Sequence, residues 1–153
     1  FGHAIPHIVE RFAENKDFPF KIYGHNQTRA FCYIDDAVKG TVGAMESKKS
    51  VSEIYHIGNT NEINMETLTT FIGKLMNYEG EYEKAITYPG SVERRCPNID
   101  KASLDFGYSP SFSWKEAVGL TVDWYRDFFA AGNLPTSGGF ETPEDVSAKI
   151  EKL

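Results

Sequence analysis

The chain has 153 residues, of which 41% are hydrophobic and 14% aromatic, as is typical of a globular domain with a buried core. Its formal net charge at pH 7 is −6, and it has no cluster of Lys and Arg of the kind that binds a nucleic-acid backbone or an anionic membrane. The composition therefore excludes a disordered chain, and any bound anion has to be held by local groups.

The N-terminal part of the sequence predicts one helix and two strands. Apolar residues at helical spacing predict an amphipathic helix over residues 5–14. The segment "FPFKIYG" alternates apolar and polar residues up to Gly24, and "RAFCYI" is rich in β-forming residues, so both are predicted strands. Between them lies a polar turn, residues 24–28, with the cation Arg29 beside it.

The middle of the chain continues the alternation of helices and strands. Asp35 is the predicted N-cap of a helix over residues 36–47, and Asn64 is the predicted N-cap of a helix that buries Leu68 and Ile72. The segments "EIYHIG", residues 53–58, and "AITY", residues 85–88, are predicted strands.

The C-terminal part carries the clearest helix signals. Asp100 is expected to cap a brief helix, "KASLDF", which Gly107 ends. "SWKE" is a capping box that opens a helix over residues 114–130, which we expect to be buried on two sides, with Trp124 in the core. Residues 133–153 are rich in Gly, Pro and small polar residues and predict a linker followed by a short amphipathic helix.

Short strands and helices that alternate in this way predict an α/β fold. The strands are too few for a complete doubly wound sheet, and the sequence opens at Phe1 inside a helical pattern. We therefore expect a fragment of a larger unit, with residues 1–132 as its main domain and residues 133–153 as a tail.

Cysteine spacing and hydropathy give expectations about location. Cys32 and Cys96 are far apart in sequence and lack the spacing of metal ligands. No run of about 18 apolar residues and no signal-like segment is present. We expect free thiols, a cytoplasmic location and no membrane partner.

No familiar catalytic motif is visible in the sequence. It has no Gly-rich turn between a strand and a helix, no P-loop, no H-E-x-x-H and no G-x-S-x-G. Asp35 and Asp36 could serve as an acid/base pair, but a helix N-terminus explains them better. The four histidines show no metal-ligand spacing.

The order of five sequence blocks nevertheless resembles the C-terminal half of an extended short-chain dehydrogenase/reductase. The blocks are "IPHIVERF", "KIYGHNQTRAFCYIDDAVKG", "IYHIGNTNEINMETL", "ERRCPNIDKA" and "FGYSPSFSWKEAVGLTVDWYR". The resemblance covers roughly residues 4 to 128, and it is strongest to NAD-dependent epimerases, dehydratases and decarboxylases of UDP-sugars. It implies a substrate-binding lobe without the Gly-rich NAD-binding half.

The resemblance implies a set of substrate-binding residues. In this family the arginine of the Q-T-R block and one arginine of the R-R-x-P-D block flank the nucleotide diphosphate, and the strand before the first block passes the base. By position, the implied residues are Arg29, Arg94 or Arg95, Gln27, and the segment Lys21, Ile22 and Tyr23. His7 is added to this set because it follows Pro6 at the start of the first helix and is expected near the ligand. Guanidinium groups suit this role because they bind phosphate oxygens through two parallel hydrogen bonds.

Two departures from the family pattern change the expected contacts. The turn before the Q-T-R block has His25 and Asn26 where relatives carry Asp-Gly, and Asn98 stands where relatives carry Asp after proline. Both departures leave the arginines in place.

The resemblance also implies partners and a cofactor. The family's catalytic Ser or Thr, its Tyr-x-x-x-Lys and its cofactor loop all belong to the N-terminal half, and no Tyr of this chain has Lys four residues later. We therefore expect NAD in the intact enzyme but not on this chain, an N-terminal Rossmann half as partner, and a homo-oligomer. The alternative is a non-catalytic nucleotide-binding or assembly module. The sugar, the base and the reaction subtype remain open.

Overall fold

The structure is a computed structural model, which describes residues 3–14 and 18–132. The predicted tail, residues 133–153, lies outside the described residues. The chain forms two compact units, each assembled from separate segments. Of the described residues, unit 1 contains 3–14, 18–27, 64–93 and 118–132, and unit 2 contains Thr28–Ile63 and Arg94–Ala117.

Helices and short strands alternate along the described residues, in agreement with the predicted α/β class. In chain order the elements are α1 (Ala4–Glu14), β1 (Phe20–Tyr23), β2 (Thr28–Ala30), α2 (Ile34–Glu46), a 3-10 turn (Lys48–Ser50), β3 (Glu62–Asn64), α3 (Met65–Leu75), β4 (Tyr82–Ala85), β5 (Arg94–Arg95), α4 (Asp100–Phe106) and α5 (Trp114–Ala130).

Unit 1 is built on a parallel pair of strands, β1 and β4, in which Phe20 is the register partner of Tyr82. The predicted helix α1 and strand β1 are both confirmed. The Phe12 ring of α1 stacks on the Phe20 ring of β1 with their centroids 3.9 Å apart. Together with Leu68 and Ile72 of α3, these rings form an apolar core, which the helical and strand periodicities already indicate.

Helix α3 begins where the sequence predicts. The Asn64 side chain accepts a hydrogen bond from the Thr67 backbone N–H at 2.7 Å, which satisfies one of the unpaired amides of the first turn. The fourth strand, in contrast, lies earlier than the predicted residues 85–88. It covers Tyr82–Ala85, because these residues pair with β1.

Unit 2 contains a three-stranded sheet in the order β3, β2, β5. Strand β2 is shorter than predicted, since helix α2 already begins at Ile34. The prediction that Asp35 caps this helix is wrong. Tyr33 occupies the N-cap position without a side-chain cap, and Asp35 lies exposed within the first turn.

Asp36, next to it, is the buried carboxylate of unit 2, with 1% of its surface exposed. Its oxygens accept hydrogen bonds from the backbone N–H groups of Ser111 and Phe112 at 3.0 and 3.1 Å and from the Ser111 hydroxyl at 2.7 Å. Burial alone would raise the pKa of Asp36, but these hydrogen bonds and the charge of Lys39 hold its pKa below the ordinary value. Asp36 therefore fastens α2 to the loop before α5.

Three large apolar side chains on one face of α2 are not buried. Val38, Val42 and Met45 are exposed, whereas Asp36 and Gly40 are the buried positions. Gly40 lies so close to Ile57 and Tyr108 that an ideal Cβ would be 2.5 and 2.7 Å from their side-chain carbons. The helix therefore packs through its smallest residue.

The predicted strand "EIYHIG" is not formed, since residues 53–57 have no strand partner among the described residues. Ile54 is 83% exposed, and the Tyr55 hydroxyl donates to the Asp105 carboxylate at 2.8 Å. A strand requires a neighbouring strand to pair its backbone groups, and the described residues supply none here. The sequence analysis did not predict strands β3 and β5, which are only three and two residues long.

The C-terminal helices confirm the strongest local signals. Gly107 ends α4 with a left-handed φ of 72°, although Ile99 and not Asp100 is its N-cap. In the capping box, the Ser113 hydroxyl lies 2.6 Å from the Glu116 carboxylate, and the Ser113 N–H donates to the same carboxylate at 2.9 Å. Helix α5 begins in unit 2 and continues in unit 1.

The expectation that α5 is buried on two sides is wrong. Val118 and Val122 are buried, but Leu120 is exposed and Trp124 is 57% exposed. Trp124 stacks instead on Phe128 of the same helix, with their centroids 5.3 Å apart.

Within the described part of the chain, no helix has the length and apolarity needed to cross a membrane.

Candidate functional site

The turn that precedes Arg29 is fixed by the side chain of Gln27, in unit 1. Gly24 has a left-handed φ of 61°, and its carbonyl accepts the Gln27 N–H at 2.8 Å. The buried Gln27 amide donates to the Thr87 hydroxyl at 2.7 Å and accepts from the Ser91 hydroxyl at 3.1 Å. The predicted ligand residue Gln27 thus ties the turn to the loop after β4.

His25, which departs from the family pattern, lies in the same turn. Its backbone carbonyl accepts the Glu66 N–H at 3.1 Å and so holds the turn to the start of α3. Its Nδ1 atom is buried and has no hydrogen-bond partner in the part of the chain that the structure describes.

Unit 1 contains a cavity of about 240 Å³, which we name the α1–β1 cavity. Its lining includes four of the predicted substrate residues, namely His7, Lys21, Ile22 and Tyr23. The remaining lining residues are His3, Ala4, Ile8, Arg11, Met65, Thr69 and Tyr88. The structure therefore brings together the segment that the resemblance assigns to the base and the histidine predicted near the ligand.

Sequence reasoning missed Arg11, although a signal for it was present. His7 and Arg11 are spaced four residues apart on α1, so they share the face that borders the cavity, and His3, one residue before the helix, lines it too. The central guanidinium carbon of Arg11 lies 4.1 Å from the centroid of Phe20 and 5.2 Å from that of Tyr23. These distances are within the range of cation–π attraction, which places the cation at the cavity wall.

The predicted arginines of the other blocks meet in unit 2. Strands β2 and β5 pair in parallel, with Thr28 opposite Arg94 and Arg29 opposite Arg95. Successive residues of a strand point to opposite faces, so Arg29 and Arg95 share one face and Arg94 lies on the other. We name Arg29 and Arg95 the arginine pair.

Arg94 is engaged by a carboxylate on its own face. Its guanidinium donates to Glu62 at 2.6, 2.9 and 3.1 Å, and the Thr28 hydroxyl donates to Glu62 at 2.9 Å. The Arg94 hydrogen bonds, followed by that of Thr28, lower the pKa of Glu62, and Glu62 in turn raises the pKa of Arg94. Arg94 therefore has a structural ion pair.

The arginine pair has a different electrostatic setting. Arg29 is half-buried and donates to the Thr28 carbonyl at 2.7 Å, and burial together with the charge of Arg95 lowers its pKa. Arg95 is exposed, and its side chain makes no hydrogen bond or ion pair with residues in the described ranges. Like charges on paired strand positions repel, so an anion placed on this face would relieve the repulsion.

The other polar clusters that the structure describes offer no catalytic arrangement. Asp36 is saturated by protein donors and Asp35 is exposed, which does not support an acid/base pair. Cys32 and Cys96 are free thiols. Burial raises the pKa of Cys32, whose Sγ lies 3.6 Å from the Tyr108 hydroxyl. Over residues 3–14 and 18–132 no group of His, Cys, Asp and Glu has the arrangement of a metal site.

Comparison with protein families supports the sequence resemblance. Residues 2–58 match the NAD dependent epimerase/dehydratase family. Over 136 residues the chain is 28% identical to UDP-N-acetyl-alpha-D-glucosaminuronate decarboxylase of Bacillus cytotoxicus, which covers 83% of this chain and 41% of that protein. Over 106 residues it is 33% identical to UDP-glucuronic acid decarboxylase 1 of Xenopus tropicalis, covering 69% of this chain and 25% of that protein.

A solved structure shows the same fold. UDP-glucuronic acid 4-epimerase from Bacillus cereus, in complex with UDP-glucuronic acid and NAD, is similar with a TM-score of 0.74 and 27% identity. The match covers 83% of this chain and 40% of that chain. The chain thus spans between a quarter and two fifths of the length of these relatives.

Proposed function

Because the chain belongs to the NAD-dependent epimerase/dehydratase family of extended short-chain dehydrogenases, we propose that it is the nucleotide-sugar-binding part of such an enzyme. The proposed ligand is a UDP-sugar, since the curated relatives described above act on UDP-sugars by name. The reaction of the intact protein would be an NAD-dependent epimerisation, dehydration or decarboxylation.

The observation that carries the proposal is the in-register arginine pair. A diphosphate presents two negative groups with several acceptor oxygens, and two guanidinium groups on one sheet face can neutralise it. Register and the Arg94–Glu62 ion pair favour Arg95 over Arg94 as the second phosphate ligand. We assign Arg29 and Arg95 to the diphosphate.

The α1–β1 cavity makes a separate contribution. Its apolar and aromatic lining suits a planar base, and Lys21, Ile22 and Tyr23 of β1 form one wall. Taken by itself, unit 1 therefore offers a surface suited to a planar base. Binding of the nucleotide would align the distant sugar carbon with the catalytic groups. Binding energy from a remote part of a substrate contributes to the reaction rate in this way.

The sequence lacks the motifs by which this family is expected to bind NAD and carry out catalysis. The sequence has no Gly-rich strand-to-helix turn, which would present backbone amides to a pyrophosphate, and no Tyr-x-x-x-Lys. We propose that NAD and the catalytic groups belong to an N-terminal half. The relatives are long enough to contain one, since the match covers 41% and 25% of their length.

Unit 2 has two exposed apolar features that an N-terminal half could cover. The outer face of α2 presents Val38, Val42 and Met45, and the β-forming residues 53–57 lack a strand partner among those that the structure describes. We propose that the N-terminal half covers both. Without it, the chain should associate with itself, and Val42→Lys should reduce the mass measured by light scattering. A monodisperse monomer for the unaltered chain would contradict this assignment.

Calorimetry with UDP tests the phosphate assignment. Arg29→Ala and Arg95→Ala should each weaken UDP binding by about 2–3 kcal/mol, as expected for loss of charge-assisted hydrogen bonds. Arg94→Ala is the matched control, since it removes the neighbouring charge but should leave UDP affinity within about 0.5 kcal/mol. Equal losses at Arg94 and Arg95 would show that strand face does not select the ligand, and no loss at Arg29 would remove support for the proposed function.

A further inference from the structure

Helix α5 presents an apolar stripe on the surface of unit 1. Leu120 and Trp124 are exposed, and the half-buried ring of Phe128 stacks on that of Trp124. These three residues, which we name the α5 stripe, recur every four residues and therefore lie on one side of the helix. The buried positions Val118 and Val122 lie on another side. Adjoining apolar residues on a surface mark a site of contact with another segment.

The chain continues past α5 with a segment of matching character. Residues 133–153 follow α5 closely and lie outside the described residues. Their sequence predicts a linker, residues 133–142, and a tail helix, residues 143–153, with Val146, Ile150 and Leu153 on its apolar side. A helix of eleven residues is marginal in water on its own, so it requires an apolar surface on which to pack.

The spacing and length of the two apolar sets agree. Val146, Ile150 and Leu153 are separated by four and three residues and span about 10 Å of helix, and the α5 stripe spans about 12 Å. In an antiparallel pair of helices, Ile150 then lies against Trp124. Packed helices are about 8–10 Å apart, a distance that ten linker residues span easily.

Charge and tethering favour the tail helix over a separate molecule. Asp123 and Asp127 are exposed beside the α5 stripe, and Lys149 stands beside the apolar side of the tail helix. In the antiparallel arrangement these opposite charges fall on the same side of the helix pair, which fixes its orientation. A short flexible linker gives an effective concentration in the millimolar range, which a second copy in dilute solution does not reach.

From these observations we propose that the tail helix packs antiparallel on the α5 stripe of the same chain and covers Trp124. The contact needs neither a nucleotide nor an N-terminal half, so it is independent of the proposed function. It would leave the exposed face of α2 as the surface available to a partner.

Tryptophan fluorescence of the 153-residue chain tests this contact. In a Trp114→Phe background, Trp124 is the sole tryptophan. Ile150→Asp should shift the Trp124 emission to longer wavelength and speed its quenching by acrylamide, because the indole becomes exposed to water. Ala148→Asp is the matched control, since it adds the same charge on the opposite side of the tail helix and should change neither property.

Hydrogen exchange gives the reciprocal measurement and needs no Trp114 substitution. The backbone amides of residues 147–153 should exchange slowly in the unaltered chain and rapidly in Trp124→Asp, because docking protects them. Trp124 is exposed among the described residues, so protection in the core around Phe20 should stay unchanged.

Three outcomes would overturn the proposal. Unchanged emission in Ile150→Asp would show that the tail helix does not cover Trp124. Tail amides that stay protected in Trp124→Asp would place the tail helix on another surface. Emission that shifts to shorter wavelength as the protein concentration rises would identify a second copy, and not the tail, as the segment that covers the α5 stripe.

Discussion

Unit 1 and unit 2 are stabilised by different kinds of contact. In unit 1, Phe12 and Phe20 stack in a core of apolar side chains, with Tyr78 and Tyr82 at its edge. In unit 2, the central contact is a buried carboxylate, Asp36, surrounded by donors.

A second buried polar contact supports unit 2. The Tyr108 hydroxyl donates to the Gly58 carbonyl at 2.8 Å, and burial followed by the Cys32 hydrogen bond raises the pKa of Tyr108. Apolar packing is non-directional and tolerates small shifts, whereas hydrogen bonds to buried groups require fixed partners. The candidate ligand surface of unit 1 therefore depends on apolar packing, and that of unit 2 depends on buried hydrogen bonds. Mutations and changes of pH can distinguish these two sources of stability.

The largest expected effect is on the core of unit 1. Phe20→Ala should lower the free energy of unfolding by about 4 kcal/mol, because it removes a fully buried ring and leaves a cavity. Trp124→Ala is the control, since this larger ring is more than half exposed, and it should cost less than about 1 kcal/mol. Urea unfolding measures both, and equal costs would show that Trp124 is buried after all.

The matching change in unit 2 is Asp36→Asn. The amide group of asparagine brings new donors to a position already surrounded by the N–H groups of Ser111 and Phe112, so the change should cost about 3 kcal/mol. Asp35→Asn, one residue earlier and exposed, should cost less than about 0.5 kcal/mol. A small effect at Asp36 would contradict a polar basis for the stability of unit 2.

Acid should affect the same contact. The folded-state pKa of Asp36 lies below its value in the unfolded chain, so its stabilisation is complete above about pH 4 and is lost as the pH falls through the folded pKa. The unaltered chain should therefore lose more stability than Asp36→Asn between about pH 4 and pH 2. Parallel stability curves for the two proteins over this range would rule out Asp36 as the source.

The smallest effects are expected at two helical glycines. Gly40→Ala in unit 2 should cost about 2 kcal/mol, because the new methyl group would overlap Ile57 and Tyr108. At Gly119 in α5 of unit 1, an added carbon would have nothing within 4 Å beyond the adjacent residues and backbone of its own helix. Gly119→Ala should therefore stabilise by about 0.5–1 kcal/mol through helix propensity. Thermal unfolding should therefore show shifts of opposite sign.

Most sequence signals that depend on near neighbours were correct, although the predicted caps Asp35 and Asp100 were not. The periodicity of α1, the Asn64 cap of α3, and the Ser113–Glu116 capping box of α5 each involve residues within about one helical turn. For the same reason, the strand β1 could be predicted from its alternation. These interactions are set by the local chain.

Predictions that required a remote partner were less successful. Residues 53–57 have the composition of a strand, but none of the described residues pairs with them. The apolar residues of α2 and Trp124 are exposed, since no element within residues 3–14 and 18–132 covers them. Asp36 was indistinguishable from Asp35 in the sequence, since only the loop at Ser111 and Phe112 decides which carboxylate is buried.

The sequence by itself determined the α/β class, most helices, the family and the candidate ligand residues on β1 and in the arginine blocks, because each depends on residue type and local spacing. Only the tertiary structure decided that Arg29 lies opposite Arg95 while Arg94 binds Glu62, and that Arg11 borders the cavity over Phe20 and Tyr23. Strand register and ring contacts join residues that are distant in the chain, and a shift of one residue in register would exchange the faces of Arg94 and Arg95.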